Sequence, residues 1–335
     1  MKKGYIFIAF STLFFSTMEI ALKLVATEFN PMQLNFLRFL IGSLILAPLA
    51  LRHLKGSGLV LSRKIIGYFL LSGFVCVVVS MTFFQMAVVY AHASTVAILF
   101  SCNAAFLIPF AHFFLHEKLS RLSLLSLVIS LVGMICIINP TNLTNPLGIS
   151  LALIGAVTFA LYGIIGRKGS LKFGFDGVVQ SSFSFLAGSL ELLVLILISK
   201  IPAMSAWLQT AGFPSFSDIP VLVGISWKTL PMLIYLGVMV TGLGFCFYFL
   251  AMEETSASTA SLVFFIKPAL APVLALLILG EVITVNMFAG MALIIAGSCV
   301  QLLADKLENR HMKQLITKKR SAFSLSAHHT HAHTR

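Results

Sequence analysis

Residues 90–119, YAHASTVAILFSCNAAFLIPFAHFFLHEKL, recur in altered form at 252–284 as MEETSASTASLVFFIKPALAPVLALLILGEVIT. With a shift of 164, these stretches and their flanks share eleven identities. They run from Phe83 with Phe247, through Ala93-Ser94-Thr95 with Ala257-Ser258-Thr259, to Glu117 with Glu281 and Gly133 with Gly297. Earlier in the chain, Gly42-Ser43-Leu44 matches Gly188-Ser189-Leu190 at a shift of 146, so residues were inserted between these points, in the long connection 199–228. Self-similarity at a fixed offset is the first thing that decides an architecture, and this chain is one unit written twice.

Composition says what the unit is made of. Hydrophobic residues make up 59% of the 335 and charged residues 10%, against about 25% charged in an ordinary soluble chain. Only a helix satisfies its own backbone polar groups in lipid, and about 20 apolar residues cross the hydrocarbon core. Ten such runs are present, near 4–25, 32–51, 65–90, 94–115, 122–139, 147–167, 176–198, 229–252, 257–279 and 284–303. The first is too long for a signal-peptide core and lacks a small-residue cleavage site, which predicts a retained helix. The expected fold is an all-α polytopic membrane protein of ten transmembrane helices.

Basic residues orient it. With the N-terminus inside, eighteen of the twenty-three Lys and Arg fall on the cytoplasmic side and only Lys200 and Lys228 on the other. That asymmetry is the positive-inside rule, and it predicts that both termini are cytoplasmic. It also accounts for the net charge of +12 without nucleic acid, because the charges are scattered over short loops instead of forming one footprint. Five helices per copy is an odd number, so the second copy enters from the opposite side. The expected domains are therefore two inverted repeats, 4–140 and 147–303, followed by a basic, His-containing cytoplasmic tail, 304–335, whose composition predicts disorder. Inverted repeats are the architecture of secondary transporters, with a site near the midplane between the copies.

Both quoted stretches, together with NFLRFLIGSLILAPLAL at 35–51, resemble the signature segments of EamA-type proteins in the drug/metabolite transporter superfamily. The resemblance covers about residues 4–303, with Glu117 and Glu281 at the family's Gly-Glu position and His116 where the first copy would have Gly. It implies a ten-helix carrier, commonly an exporter, with a central cavity between the halves in the cytoplasmic membrane of a bacterium. It does not specify the substrate.

Ionisable residues within the spans cost roughly 2.5–3.5 kcal/mol each on insertion scales, so each needs a partner or a wet cavity. Glu19 and Arg38 lie equally far from the short connection between helices 1 and 2, which predicts an ion pair, with Lys23 as a second partner for Glu19 at i, i+4. Glu19 is equally a candidate proton carrier. Glu191 falls in the outer third of helix 7, facing headgroups or Lys200. Lys267 is ten residues into helix 9, about 15 Å deep and near the midplane, and its repeat equivalent is Asn103. Pro268 removes an N–H and frees backbone carbonyls near Phe264. Lys267, Asn103, Pro268 and Phe264 are thus the expected substrate-binding residues, with Glu19, Arg38 and Glu191 as coupling or ion-pair residues. The competing reading of Lys267 is interhelical glue, paired with Glu19 or Glu191.

The aromatics Phe83, Phe84, Tyr90, Phe247, Tyr248 and Phe249 are read first as packing residues. Small residues in helix 5 (Ser126, Ser130, Gly133) and helix 10 (Ala289, Ala292, Ala296) permit close helix approach and would suit a homodimer face. Nothing indicates an enzyme, since phosphate-binding loops, metalloprotease motifs and nucleophile elbows are all missing from the sequence. The five cysteines lie inside apolar runs without C-x-x-C spacing, and His112 and His116 lack a third ligand, so no cofactor or metal is expected. The functional expectation is a secondary carrier whose partners are the bilayer and a small organic metabolite. Export of amino acids or similar compounds, against protons, is the first reading and uptake the alternative.

Overall fold

The computed structural model describes residues 2–116, 120–139, 145–254, 262–304 and 307. Glu117 and nearly all of the tail lie outside them. Among the described residues, ten helices are long and apolar enough to cross a membrane: α1 (Lys3–Leu24), α2 (Pro31–Gly56), α3 (Arg63–Tyr90), α4 (Ala93–Leu115), α5 (Arg121–Ile138), α6 (Pro146–Phe173), α7 (Gly177–Ser199), α8 (Leu230–Ala251), α9 (Leu262–Leu279) and α10 (Val285–Ala304).

Local chemistry sets the ends. Asn30 opens α2 with a capping box: its Oδ1 accepts from the Met32 N–H at 2.9 Å and the Gln33 side chain accepts from the Asn30 N–H. The same Gln33 donates to the Val221 and Val223 carbonyls, tying the long connection after α7 to the start of α2. Asp176 caps α7 through the Val179 N–H while its other oxygen meets His53 of α2 at 2.5 Å. At the end of α4, His116 adopts the left-handed conformation, φ 55°, and Gly280, its equivalent after α9, does so at φ 69°. Histidine therefore holds a backbone shape that glycine holds without cost in the other copy, so the turn survives the substitution.

Two crossings shape the middle of the bundle, and each involves a π-helical turn: Phe74–Ser80 within α3 and Tyr235–Leu243 within α8. α3 packs on α7, where a Cβ on Gly188 would meet the Val77 side chain. α8 packs on α2, where a Cβ on Gly42 would lie 2.6 Å from Thr241 Cγ2. Glycine is needed at both points because the backbones approach too closely for any side chain. Val77 and Thr241 are related by the shift of 164, and Gly42 and Gly188 by that of 146.

The small faces of helices 5 and 10 are used differently from the expectation. Ser126 donates to the Gly297 carbonyl at 2.7 Å, and a Cβ on Gly133 would stand 2.8 Å from the Gly290 carbonyl. Ser126, Ser130 and Gly133 are thus consumed inside the chain, by glycines of α10, while Ala289, Ala292 and Ala296 remain on the exposed face.

Candidate functional site

The deepest ionised contact among the described residues joins the two halves. Lys267 of α9 donates to Glu19 Oε1 of α1 at 2.7 Å, with the residues 4% and 1% exposed. The ammonium also lies 5.7 Å from the centre of the Phe100 ring of α4, a cation–π arrangement. α9 runs as a helix through Pro268 and Pro272, and proline at 268 cannot donate to the carbonyl of Phe264.

The predicted Glu19–Arg38 pair is not formed. Equal depth brings two residues to one level, but helical phase decides which way they face, and Glu19 faces α9. Arg38, 1% exposed, points instead among Asn35, Met18 and Met81: Nε donates to Asn35 Oδ1 at 3.2 Å, and the two terminal nitrogens lie 3.8 Å and 3.4 Å from the thioether sulfurs of Met18 and Met81. Lys23 does not pair with Glu19 either. It reaches the end of α3 and donates to the carbonyls of Val88, Val89 and Ala91 at 2.8, 3.1 and 2.8 Å, a cation on a helix C-terminus.

Asn103 stays apart from its repeat partner. Its side chain donates to the Phe100 carbonyl at 2.7 Å, and no hydrogen bond links it to Lys267. Phe264 stacks on Phe15 and meets Tyr248 edge-on at 5.2 Å. Phe84 packs against Phe100 and Phe247 against Phe7, whereas Tyr90 is exposed. Glu191 does not meet Lys200, which pairs with Asp218 at 3.2 Å. It lines a groove of about 390 Å³ on the outer face between α3 and α7, with Leu70, Leu71, Phe74, Val194 and Leu195.

On α1 and α3, several buried polar atoms lack partners. Thr12 Oγ1, Ser16 Oγ and Glu19 Oε2 on one face of α1, and Thr82 Oγ1 and Gln85 Oε1 on α3, are buried without a hydrogen-bond partner. Buried polar atoms are nearly always satisfied, so a set of orphans marks a place that water or a bound molecule completes.

A second ionised arrangement was missed by sequence reasoning. Glu281, just beyond α9, caps α4: Oε1 accepts from the Ala93 N–H at 2.8 Å, and Oε2 accepts from the Ser94 N–H at 2.9 Å and from Ser94 Oγ at 2.6 Å. His92 Nδ1 stands 3.7 Å from Oε1. With Lys23 on the last carbonyls of α3 and Glu281 on the first amides of α4, the α3–α4 corner is held by α1 and by the connection after α9. The signal was in view, since the Ala-Ser-Thr and Glu identities recur together in both copies.

A bundle of ten apolar helices, with an ion pair buried between the first and the ninth, is built to span a membrane. The chain belongs to the EamA-like transporter family, whose model matches residues 2–139 and again 146–303. A transporter from Clostridium kluyveri, named only as uncharacterized, is 40% identical over 92% of this chain and 96% of its own length. An uncharacterized transporter from Archaeoglobus fulgidus is 22% identical, covering 89% and 97%. A solved structure known simply as a protein crystal structure superposes with a TM-score of 0.60 at 17% identity, over 90% of this chain and 98% of that one, which shows the shared fold.

Proposed function

We propose that the chain is a secondary carrier in a bacterial cytoplasmic membrane that exports amino acids or amino-acid-like metabolites, coupled to protons, by alternating access between inverted halves. The observation that carries this reading is the Lys267–Glu19 pair. One member comes from α1 and the other from α9, both are buried, and the contact is 2.7 Å. A pair of this kind holds the halves together only while both groups are charged, so a proton arriving on Glu19 frees Lys267 and lets α9 move relative to α1. The matching close crossings of α3 with α7 and of α2 with α8 support the inverted relation and give each half a fixed pivot. Lys267, with Asn103, Phe264 and the carbonyl left open by Pro268, then faces the substrate in the opened state.

Purified protein in liposomes, loaded with amino acids and given an imposed pH gradient, tests this. The wild type is expected to accelerate efflux when the gradient drives protons inward. Glu19→Gln, which cannot exchange a proton, is expected to retain exchange and lose the response to the gradient. An undiminished response in that variant removes Glu19 from the coupling, and uphill movement only in the inward direction makes the carrier an importer.

A further inference from the structure

Among the described residues, three charged side chains within the spans of three different helices are buried: Glu19, Arg38 and Lys267. Glu19 and Lys267 neutralise one another at 2.7 Å. Arg38 remains. Glu19 is near enough to attract it through space, but no ion pair to a carboxylate of a described residue is formed, and of its five N–H donors only Nε has an oxygen partner, Asn35 Oδ1. The terminal nitrogens end on the sulfurs of Met18 and Met81, which are weak acceptors, and the guanidinium carbon lies 4.4 Å over the Phe39 ring, a cation–π contact that supplies no negative charge. A guanidinium that is fully buried without an anion is costly, far more so than a paired one.

From this excess of one positive charge we infer that Arg38 is the anchor for a carboxylate group of the transported molecule. The inference rests on the carrier reading above and assigns the anion to α2, not to Lys267. Arginine presents parallel N–H groups that match a carboxylate two to two, whereas an ammonium offers a point charge. The two thioethers on the terminal nitrogens are flexible and easily displaced, so a carboxylate replaces Met18 and Met81 as the partner of those nitrogens while the guanidinium keeps its place over Phe39. One negative charge completes the balance, which favours a carboxylate over a phosphate dianion. Asn35 ties the anchor to α3: it accepts from Arg38 and donates to the Val77 carbonyl at 2.7 Å, inside the π-helical turn that crosses α7.

The test is thermal unfolding of the purified protein with matched acid and amide pairs, butyrate with butyramide and leucine with leucinamide. The acids are expected to raise the Tm of the wild type by several degrees at saturating concentration, and the amides to leave it unchanged. Arg38→Met is expected to abolish the response to the acids while unfolding at a Tm no lower than that of the wild type, because a thioether fits between Met18 and Met81 and removes an unpaired charge. Should Arg38→Met not be recoverable, Arg38→Gln, which keeps an amide donor and loses the charge, is expected to give the same loss of response. Acids and amides acting alike, an acid response that survives in either variant, or a larger response to inorganic phosphate would overturn the assignment. So would a strong drop in Tm for both variants, which would show Arg38 to be satisfied in place. An intact acid response in protein that moves nothing across liposomes would reject the carrier reading and leave the anion site standing.

Discussion

Two buried carboxylates of this chain, Glu19 and Glu281, are 1% and 9% exposed, yet they are in opposite conditions. Glu281 accepts three hydrogen bonds, from two amides and a hydroxyl at the start of α4, and both of its oxygens are used. Glu19 uses one oxygen, on Lys267, and leaves the other without a partner. A carboxylate that gathers helix N-terminal amides is structural chemistry, strong in place and hard to improve. One that is half satisfied at the centre of a transporter holds capacity in reserve. On the proposed mechanism, the contrast separates a carboxylate that holds shape from one that takes part in the change.

The largest expected break in this comparison comes from Lys267→Met. It leaves Glu19 buried without its cation, and removing one member of a buried pair costs about 3–5 kcal/mol. Thermal unfolding in detergent should show the largest drop in Tm of the substitutions considered, and transport should be lost. Adding Glu19→Leu to Lys267→Met should restore most of the Tm and none of the transport, because the uncompensated charge is gone while the function is not regained. A double variant as unstable as the single one would mean that the pair is a structural lock.

Glu281→Gln comes next. The carboxamide keeps one acceptor but places an NH₂ group against the donors of Ser94, so a cap with charge-assisted bonds becomes a mismatched one. The expected cost is about 1–3 kcal/mol. The sharper readout is local: amide hydrogen exchange at the start of α4 should rise while exchange around Glu19 stays as in the wild type. Faster exchange at both places would show that cap and centre form a single unit and would dissolve the distinction.

Much of this was legible beforehand. Apolar runs of about 20 residues predicted the ten helices because lipid leaves the backbone no alternative, and the repeat named the positions where the two copies would correspond. Lys267 stood out because a charge at the midplane must be answered. What could not be read was direction around each helix axis. Depth arithmetic brought Glu19 and Arg38 to one level, but Glu19 turns to Lys267 and Arg38 to two methionines. Lys23, one turn from Glu19, was given to it by spacing alone, although its chain is long enough to prefer three free carbonyls at a helix end. The role of Glu281 was written in the joint recurrence of Ala-Ser-Thr and Glu, but a cap between segments distant in sequence has no local spacing to betray it. The π-helical turns of α3 and α8 left no mark in the pattern of hydrophobic residues.

Lys23 supplies the smallest and most discriminating prediction. It is bound to the carbonyls of Val88, Val89 and Ala91, as Glu281 is to the amides of Ala93 and Ser94, so the α3–α4 corner is clamped by a cation on one side and an anion on the other. Lys23 is only partly buried, and solvent already screens much of its charge, so Lys23→Met should cost no more than about 1 kcal/mol. If the corner is merely held in shape, transport by this variant should match the wild type once its slightly lower Tm is allowed for. If the corner opens and closes during the cycle, Lys23→Met should change the rate of transport at unchanged apparent affinity, because the clamp contributes to the closed arrangement and touches no substrate. A change in apparent affinity with an unchanged rate would instead draw this end of α1 into the binding site, and the separation between the satisfied carboxylate and the unsatisfied one would no longer map onto shape and function.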